Sequence, residues 1–238
     1  MQDAPTFPPL LTGIPVPART DPLQKALAAA QTGDEVEPGT IHYAENDGTF
    51  RVALTLAPEE PAGDAVRVTF AVMLGLADAL GALAPPEVAV HFDWPFGVKV
   101  NGAHCGDIRV ALDTRDPQAE PDWLIVAIDL AVAIEPGRVP GVQLDRTTLH
   151  DEGCGEITVP ALIESWARHS LVWIRRYLDD GIDPVLAAWK VKCDGVGEEV
   201  PTAGGGTFMG LDPNGGMLLR NGSETRLITL HEAVERNP

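Results

Sequence analysis

Positive charge is scarce in this sequence. Seventeen lysines and arginines stand against 35 aspartates and glutamates, a formal net charge of −18. Such a chain repels phosphate backbones, and no local cluster of basic residues offsets the excess, so no nucleic-acid partner is expected. Cysteine is scarce as well. Cys105, Cys154 and Cys193 are widely spaced, odd in number and form no C-x-x-C. That is not a disulfide framework, and it suits a reducing, cytoplasmic setting. His150 and Cys154 stand four residues apart without a second ligand pair, so no metal site is expected. A long uninterrupted apolar run is also lacking. The most apolar stretch, Val68 to Ala84, is broken by Asp78 and by glycines, which argues against a membrane span. The opening MQDAPTFPPLLTGIPVP has neither a basic start nor a continuous apolar centre, so it does not read as a signal peptide.

Apolar residues are well supplied. At 45% hydrophobic over 238 residues, the chain can bury one sizeable core plus a small appendix. Asp21 as N-cap, Pro22 in the first turn and Gly33 as a stop mark out a helix. Residues 39–44 and 50–57 read as strands joined by an E-N-D-G turn. Residues 65–83 read as a buried helix stopped by Pro85-Pro86. Residues 88–92 form another strand, and 122–134 a long apolar strand central in a sheet. A Gly/Pro/Asp-rich loop spans 135–156. Thr158 then caps a helix ended by Gly181, with Ile163, Trp166, Ile174 and Leu178 at helical spacing. A short helix, "DPVLAAWK", follows. The last fifty or so residues show three short strands with Pro-Asn-Gly and Asn-Gly turns, a small barrel or meander. Strands and helices do not alternate strictly, so the main body reads as α+β with a mixed or mostly antiparallel sheet.

The stretch from Asp93 to Arg109, DWPFGVKVNGAHCGDIR, carries the chemistry worth weighing. Asn101-Gly102 fits a type I′ hairpin turn. Regular pairing from that turn sets Lys99 opposite His104, Val98 opposite Cys105 and Phe96 opposite Asp107. Alternation then puts Trp94, Phe96, Val98, Val100, Ala103 and Cys105 on one face, and Lys99 and His104 on the other. Cys105 and His104 point to opposite sides and do not form a thiol–imidazole pair, which needs hydrogen-bond reach. Cys105 reads as a small hydrophobe. His104 reads as a neutral hydrogen-bonding imidazole facing a cation, or as half of a solvated surface pair.

The order of these features resembles the biotin/lipoate protein ligase family over nearly the whole length. The shared features are a capped helix, "GDEVEPGTIHYAE", a strand pair, a buried helix, a Trp-Pro hairpin, a hydrophobic strand, a long helix, and the phrase "GLDPNGGMLLR" (210–220) near the end. The resemblance implies a class II synthetase-like or biotin-ligase-like mixed sheet flanked by helices in residues 1–192. It also implies a small SH3-like β-barrel in 193–238. Members join biotin or lipoate to a lysine of a carrier domain through an acyl-adenylate. They carry a Gly-Arg-Gly-Arg-x-Gly loop, a Lys-Trp-Pro-Asn-Asp hairpin, a Lys-x-x-Gly-Ile return strand and a Gly-x-Asn strand end.

This chain departs from that pattern where the adenylate is handled. It runs from "HYAE" to "NDGTFRVAL" with no Gly/Arg loop, and Arg51 is the sole cation there. Asp93, Phe96 and Gly97 replace Lys, Asn and Asp of the hairpin, while Trp94-Pro95 is kept. His104 falls on the reactive-centre lysine, Asp107-Ile108 on Gly-Ile, and Ala127-Ile128-Asp129 on Gly-x-Asn. A histidine does not stabilise charge growing on an acyl phosphate as a lysine does. The leading expectation is therefore a ligase-like protein without adenylation. It would bind a small acid or acyl group (biotin, lipoate, octanoyl) or a biotinyl/lipoyl carrier domain. Arg19, Thr20, Glu45, Trp94, Lys99 and Asp129 would line its pocket, beside His104. A second reading is an ATP-independent octanoyl/lipoyl-type acyltransferase with Cys105 as nucleophile, helped by His42 or His150. A third is a non-catalytic interaction protein whose tryptophans present an interface. No DNA-binding, membrane or metal role is expected.

Overall fold

A computed structural model describes residues 4–32, 37–45, 48–133, 145–200 and 205–236. Expectations that fall on Gly33, on the middle of the E-N-D-G turn and on 135–144 of the long loop lie outside these residues.

The main sheet has seven strands: β1 (Thr12–Val16), β2 (Thr40–Ala44), β3 (Thr49–Leu56), β4 (Val90–Asp93), β5 (Gly97–Val100), β6 (Ala103–Leu112) and β7 (Leu124–Ala131). Their spatial order is β1-β2-β3-β7-β6-β5-β4, so the apolar strand β7 is the middle one. β1 runs parallel to β2 and all other pairs are antiparallel, which makes the sheet mixed. β1 is a strand that the sequence reading did not find. Its prolines, Pro15 within it and Pro17 just beyond, are tolerated because it is an edge.

Side-chain alternation divides the sheet. Leu124, Val126, Ile128 and Leu130 of β7 join Phe50, Val52 and Leu54 of β3 in the main core, with helices α3 (Val68–Leu83) and α4 (Val159–Asp180). On the opposite face Ile125 and Ala127 pack with Ala53 and with Leu23 and Ala26 of α1 (Pro22–Gln31). Asp21 caps α1 by accepting from the Leu23 N–H, and Thr158 caps α4 by accepting from the Ala161 N–H, both as expected. The short helix α2 (Ala62–Ala65) leads into α3. The segment Ala62–Leu83 is long and apolar enough to cross a membrane, yet 72% of it is buried inside the protein, as a core helix is. Leu178, expected on the buried stripe of α4, is instead 71% exposed. The buried residue of that turn is Tyr177, 7% exposed.

After α5 (Ile182–Lys192) a second, antiparallel sheet follows: β8 (Glu199–Val200), β9 (Gly206–Leu211), β10 (Met217–Asn221) and β11 (Glu224–Ile228), ordered β11-β10-β9-β8. The chain then forms α6 (Leu230–Arg236), and its Leu230, Ala233 and Val234 belong to the main core. The D-P-N-G-G turn between β9 and β10 docks this sheet. Asp212 Oδ1 accepts from the N–H groups of Asn214 and Gly216, which holds the turn in shape. The Trp94 indole donates to the Gly215 carbonyl at 2.8 Å, and Arg67 donates to Asn214 Oδ1 at 3.0 Å. Gly215 has φ +83°, and a Cβ there would lie 2.8 Å from Cζ of Phe70 in α3. Only glycine allows that backbone to press against the ring.

α3 and α4 cross at Gly75, where an added Cβ would lie 2.7 Å from the Ser170 Cα. Gly75→Val should therefore lower stability by about 1–3 kcal/mol through overpacking. Urea unfolding should show a lower midpoint with an unchanged slope. A midpoint equal to wild type would show that the crossing does not set the core.

Candidate functional site

The hairpin turn is as expected, with φ +50° at Asn101 and +87° at Gly102. The pairing beyond it is not. Lys99 faces His104, but Val98 faces Gly106 and Gly97 faces Asp107, so Cys105 is an extra residue in a β-bulge. This corrects the expected Val98–Cys105 and Phe96–Asp107 pairs. The bulge has a clear physical effect. A regular ladder would send the odd-numbered residues Asp107 and Arg109 into the apolar layer and turn Ile108 and Val110 outward. One extra residue reverses that parity. Ile108 and Val110 are accordingly 0% and 2% exposed, while Asp107 and Arg109 share the open face with His104.

With the parity reset, one row of side chains runs across five strands on that face. Asp93 of β4 pairs with Gly97 of β5, Gly97 with Asp107 of β6, Asp107 with Asp129 of β7, and Asp129 with Arg51 of β3. Three aspartates therefore line the row, and Gly97 leaves it without a side chain in the middle. Asp107 directly opposite Asp129 is a like-charge pair, unfavourable unless cations compensate. Burial raises the Asp129 carboxyl above the usual aspartate range, against the pull of Arg51 and Arg109.

The cations are engaged with the chain's own groups. Arg109 makes a bidentate pair with Asp21, at 2.8 and 2.9 Å, where α1 begins. That hydrogen bonding lowers the Asp21 carboxyl and raises the Arg109 guanidinium. Arg51 donates to the Ala18 carbonyl and to Thr49 Oγ1. Lys99 lies 3.0 Å from Asp93 Oδ1 and 2.8 Å from Asp194 Oδ2. Burial pulls its ammonium down, and the two carboxylates more than restore it. His104 meets Lys99 across the hairpin but turns its Nε2 to Asp107 Oδ2 at 3.1 Å, so its charged neighbour is a carboxylate and not the expected ammonium.

The other expected residues fall as follows. Arg19 and Thr20 lie on the turn before α1, next to the Ala18 carbonyl that receives Arg51. Glu45 is exposed at the end of β2, its N–H bonded to the Val16 carbonyl. Trp94 stands apart from the row, because its side chain joins the two sheets. Cys105 is 3% exposed in the main core, and its thiol reaches the Ala131 carbonyl at 3.5 Å. His42 is 7% exposed beneath α1 with an unpartnered Nδ1, and burial lowers its pKa. His150 Nε2 lies 3.4 Å from the Ile157 carbonyl. The described part of the long loop runs beside β6: His104 N–H bonds the Asp145 carbonyl, Thr147 N–H the His104 carbonyl, and Asn101 Nδ2 donates to Glu152. Asp21, Arg51, Asp93, Asp107, Arg109 and Asp194 are the members of the site that sequence reasoning did not assign to it. The period-2 spacing of Asp107 and Arg109 was a usable signal only with the bulge known.

No group of three or more His, Cys, Asp or Glu side chains suited to a metal ion occurs among the described residues. Residues 7–191 match the Biotin/lipoate A/B protein ligase family. The chain is 27% identical over 195 residues to the biotin–[acetyl-CoA-carboxylase] ligase of Paracoccus denitrificans, covering 78% of this chain and 79% of that protein. Among solved structures, a biotin protein ligase-like protein of unknown function from Silicibacter sp. TM1040 matches with a TM-score of 0.88 and 42% identity, over 96% of this chain and 98% of that one. The apo biotin protein ligase of Aquifex aeolicus matches with a TM-score of 0.74 and 20% identity, over 93% and 97%.

The Asp21–Arg109 pair gives a stability test with a defined sign. A carboxyl held below its ordinary value supplies stability that is present above the unfolded-state pKa, about 3.9, and is lost as pH falls through the folded value. Asp21→Asn keeps an N-capping side chain but not the ion pair. It should cost about 1 kcal/mol at pH 7, the pair being partly solvated. The two proteins should converge in stability below about pH 4. A constant gap at all pH values would show that the pair contributes through packing alone.

Proposed function

The chain belongs to the biotin/lipoate A/B protein ligase family, and on that premise we propose that it binds a biotinyl- or lipoyl-type acyl group, or the carrier domain bearing one, without ATP-dependent adenylation. The observation that carries this reading is the aspartate row with its cations engaged. A triphosphate or acyl phosphate would have to draw Lys99 from Asp93 and Asp194 and Arg109 from Asp21, above a floor of three carboxylates. Preorganised positive charge is what phosphate stabilisation requires, and here it is already neutralised.

The same floor selects among ligands. A free carboxylate is repelled by Asp93, Asp107 and Asp129. A neutral amide, the form such an acid takes once attached to a lysine, is not repelled, and the lysine ammonium of an unmodified carrier domain is attracted. The space over Gly97 is taken by the Asp93 side chain, which reaches Lys99 across it. Transfer through Cys105 finds no support in a thiol that is 3% exposed in the apolar core. Thiolate chemistry needs an accessible, electropositive setting.

A thermal-shift titration tests this directly. A ligand at 100 times its dissociation constant stabilises by about 2.7 kcal/mol, an easily read rise in melting temperature. Biotinyl-lysine amide and lipoamide should raise the melting temperature, biotin, lipoate and octanoate should raise it less, and MgATP should leave it unchanged. A large rise with MgATP or a non-hydrolysable biotinyl-adenylate mimic would restore ligase chemistry and overturn the proposal.

A further inference from the structure

The buried imidazole of His42 belongs to no part of the aspartate row, yet it lies under the helix that walls it. His42 of β2 pairs with Ile14 of β1 and with Ala53 of β3. Ala53 pairs with Ala127 of β7, and Ala127 with Arg109 of β6. A second row of side chains therefore runs from His42 to Arg109, beside the aspartate row on the same face. α1 lies across its middle, where Leu23 and Ala26 pack on Ala53 and Ala127. The start of the same helix holds Arg109 through Asp21.

His42 is 7% exposed, and its Nδ1 is shut off from water without a hydrogen-bond partner. A protonated ring carries N–H donors on both nitrogens, so a proton taken up here creates a buried donor with no acceptor. The neighbouring charges oppose it further. α1 brings Lys25 within electrostatic reach, and β3 carries Arg51 on the same face, two residues along from Ala53. β1 offers Thr12, Ile14 and Val16, none of them charged. Of the nearest carboxylates, Asp21 is engaged by Arg109, and Glu45, past the end of β2, is exposed. Burial first, and Lys25 second, hold the proton affinity of the ring below that of a free histidine. The helix above it is lightly held, with Pro22, Leu23 and Ala26 its buried residues.

We propose that His42 is a proton-operated latch: at mildly acid pH the ring takes up a proton from water, α1 leaves the sheet, and Asp21 is drawn away from Arg109 beside the aspartate row. Docking favours the neutral ring, so it is at full strength above the free-histidine value of 6.5 and weakens as pH falls below it. The Asp21 carboxyl titrates below the ordinary aspartate value, in a separate and more acid window. The latch concerns the wall of the row and not its ligand, so it stands or falls apart from the function proposed above.

Amide hydrogen exchange of the full chain, read by NMR without any ligand, tests this. An undocked helix of ten residues does not persist in water, so its amides report release. The opening constants of Lys25, Ala26 and Leu27, corrected for intrinsic exchange, should rise about five- to tenfold between about pH 7.5 and about pH 5.5. Those of Val126 and Ile128 in β7 should not follow. The imidazole signals of His42 should titrate below 6.5 in the wild-type protein. His42→Gln and His42→Leu should each keep α1 closed to the same degree at both pH values. No rise in the wild type, an equal rise in β7, a pH-dependent opening that survives both substitutions, or a His42 ring that titrates at or above the free-histidine value would overturn the proposal.

Discussion

The antiparallel pairing of β7 with β3 on one side and β6 on the other is the constraint on which the rest of the molecule depends. Eight residues of β7 are locked in register with β3 and seven with β6. With a side-chain period of two, that register leaves no freedom about what is buried. Leu124, Val126, Ile128 and Leu130 must go beneath α3 and α4, and Asp129 must face the other way. Once Asp129 is placed, Arg51 and Asp107 are placed beside it by hydrogen-bonded neighbours. α1 covers one end of that face through Leu23 and Ala26, and the polar residues at the other end remain uncovered by it. The site is thus the part of an alternating sheet face that no helix needed to cover.

Charge compensation then decides the character of that face. Lys99 answers Asp93 and Asp194 and Arg109 answers Asp21, while Arg51 donates to the Ala18 carbonyl and the Thr49 hydroxyl. Family membership and a close structural match tell how the backbone runs. They do not carry the charges with them. Function follows the residues that the fold presents, not the fold itself.

Much of the fold was legible in the sequence because its signals are local. Asp21-Pro22 and Thr158 announced helices by their capping chemistry, Asn101-Gly102 announced a turn that needs positive φ, and the apolar run of β7 announced a central strand. What was not legible depends on distant partners. β1 carries an internal proline and exists because β2 offers it a parallel edge. α6 is a seven-residue helix held by a core assembled from other parts of the chain. Trp94 read as a ligand-lining residue, whereas its indole is engaged by a carbonyl more than a hundred residues away. The bulge at Cys105 was hidden for another reason. Alternation looks the same on either side of an inserted residue, and only the pairing with β7 reveals the change of phase. The Asp21–Arg109 pair was lost with it.

The bulge also makes β6 an arithmetic device. The strand keeps two independent phases, one for the hairpin tip and one for the long pairing with β7, and Cys105 is the residue where they are spliced. Because Cys105 is the residue without a partner on β5, its loss would leave Lys99 opposite His104 and Val98 opposite Gly106 in a regular ladder, with Ile108 and Val110 still facing the core.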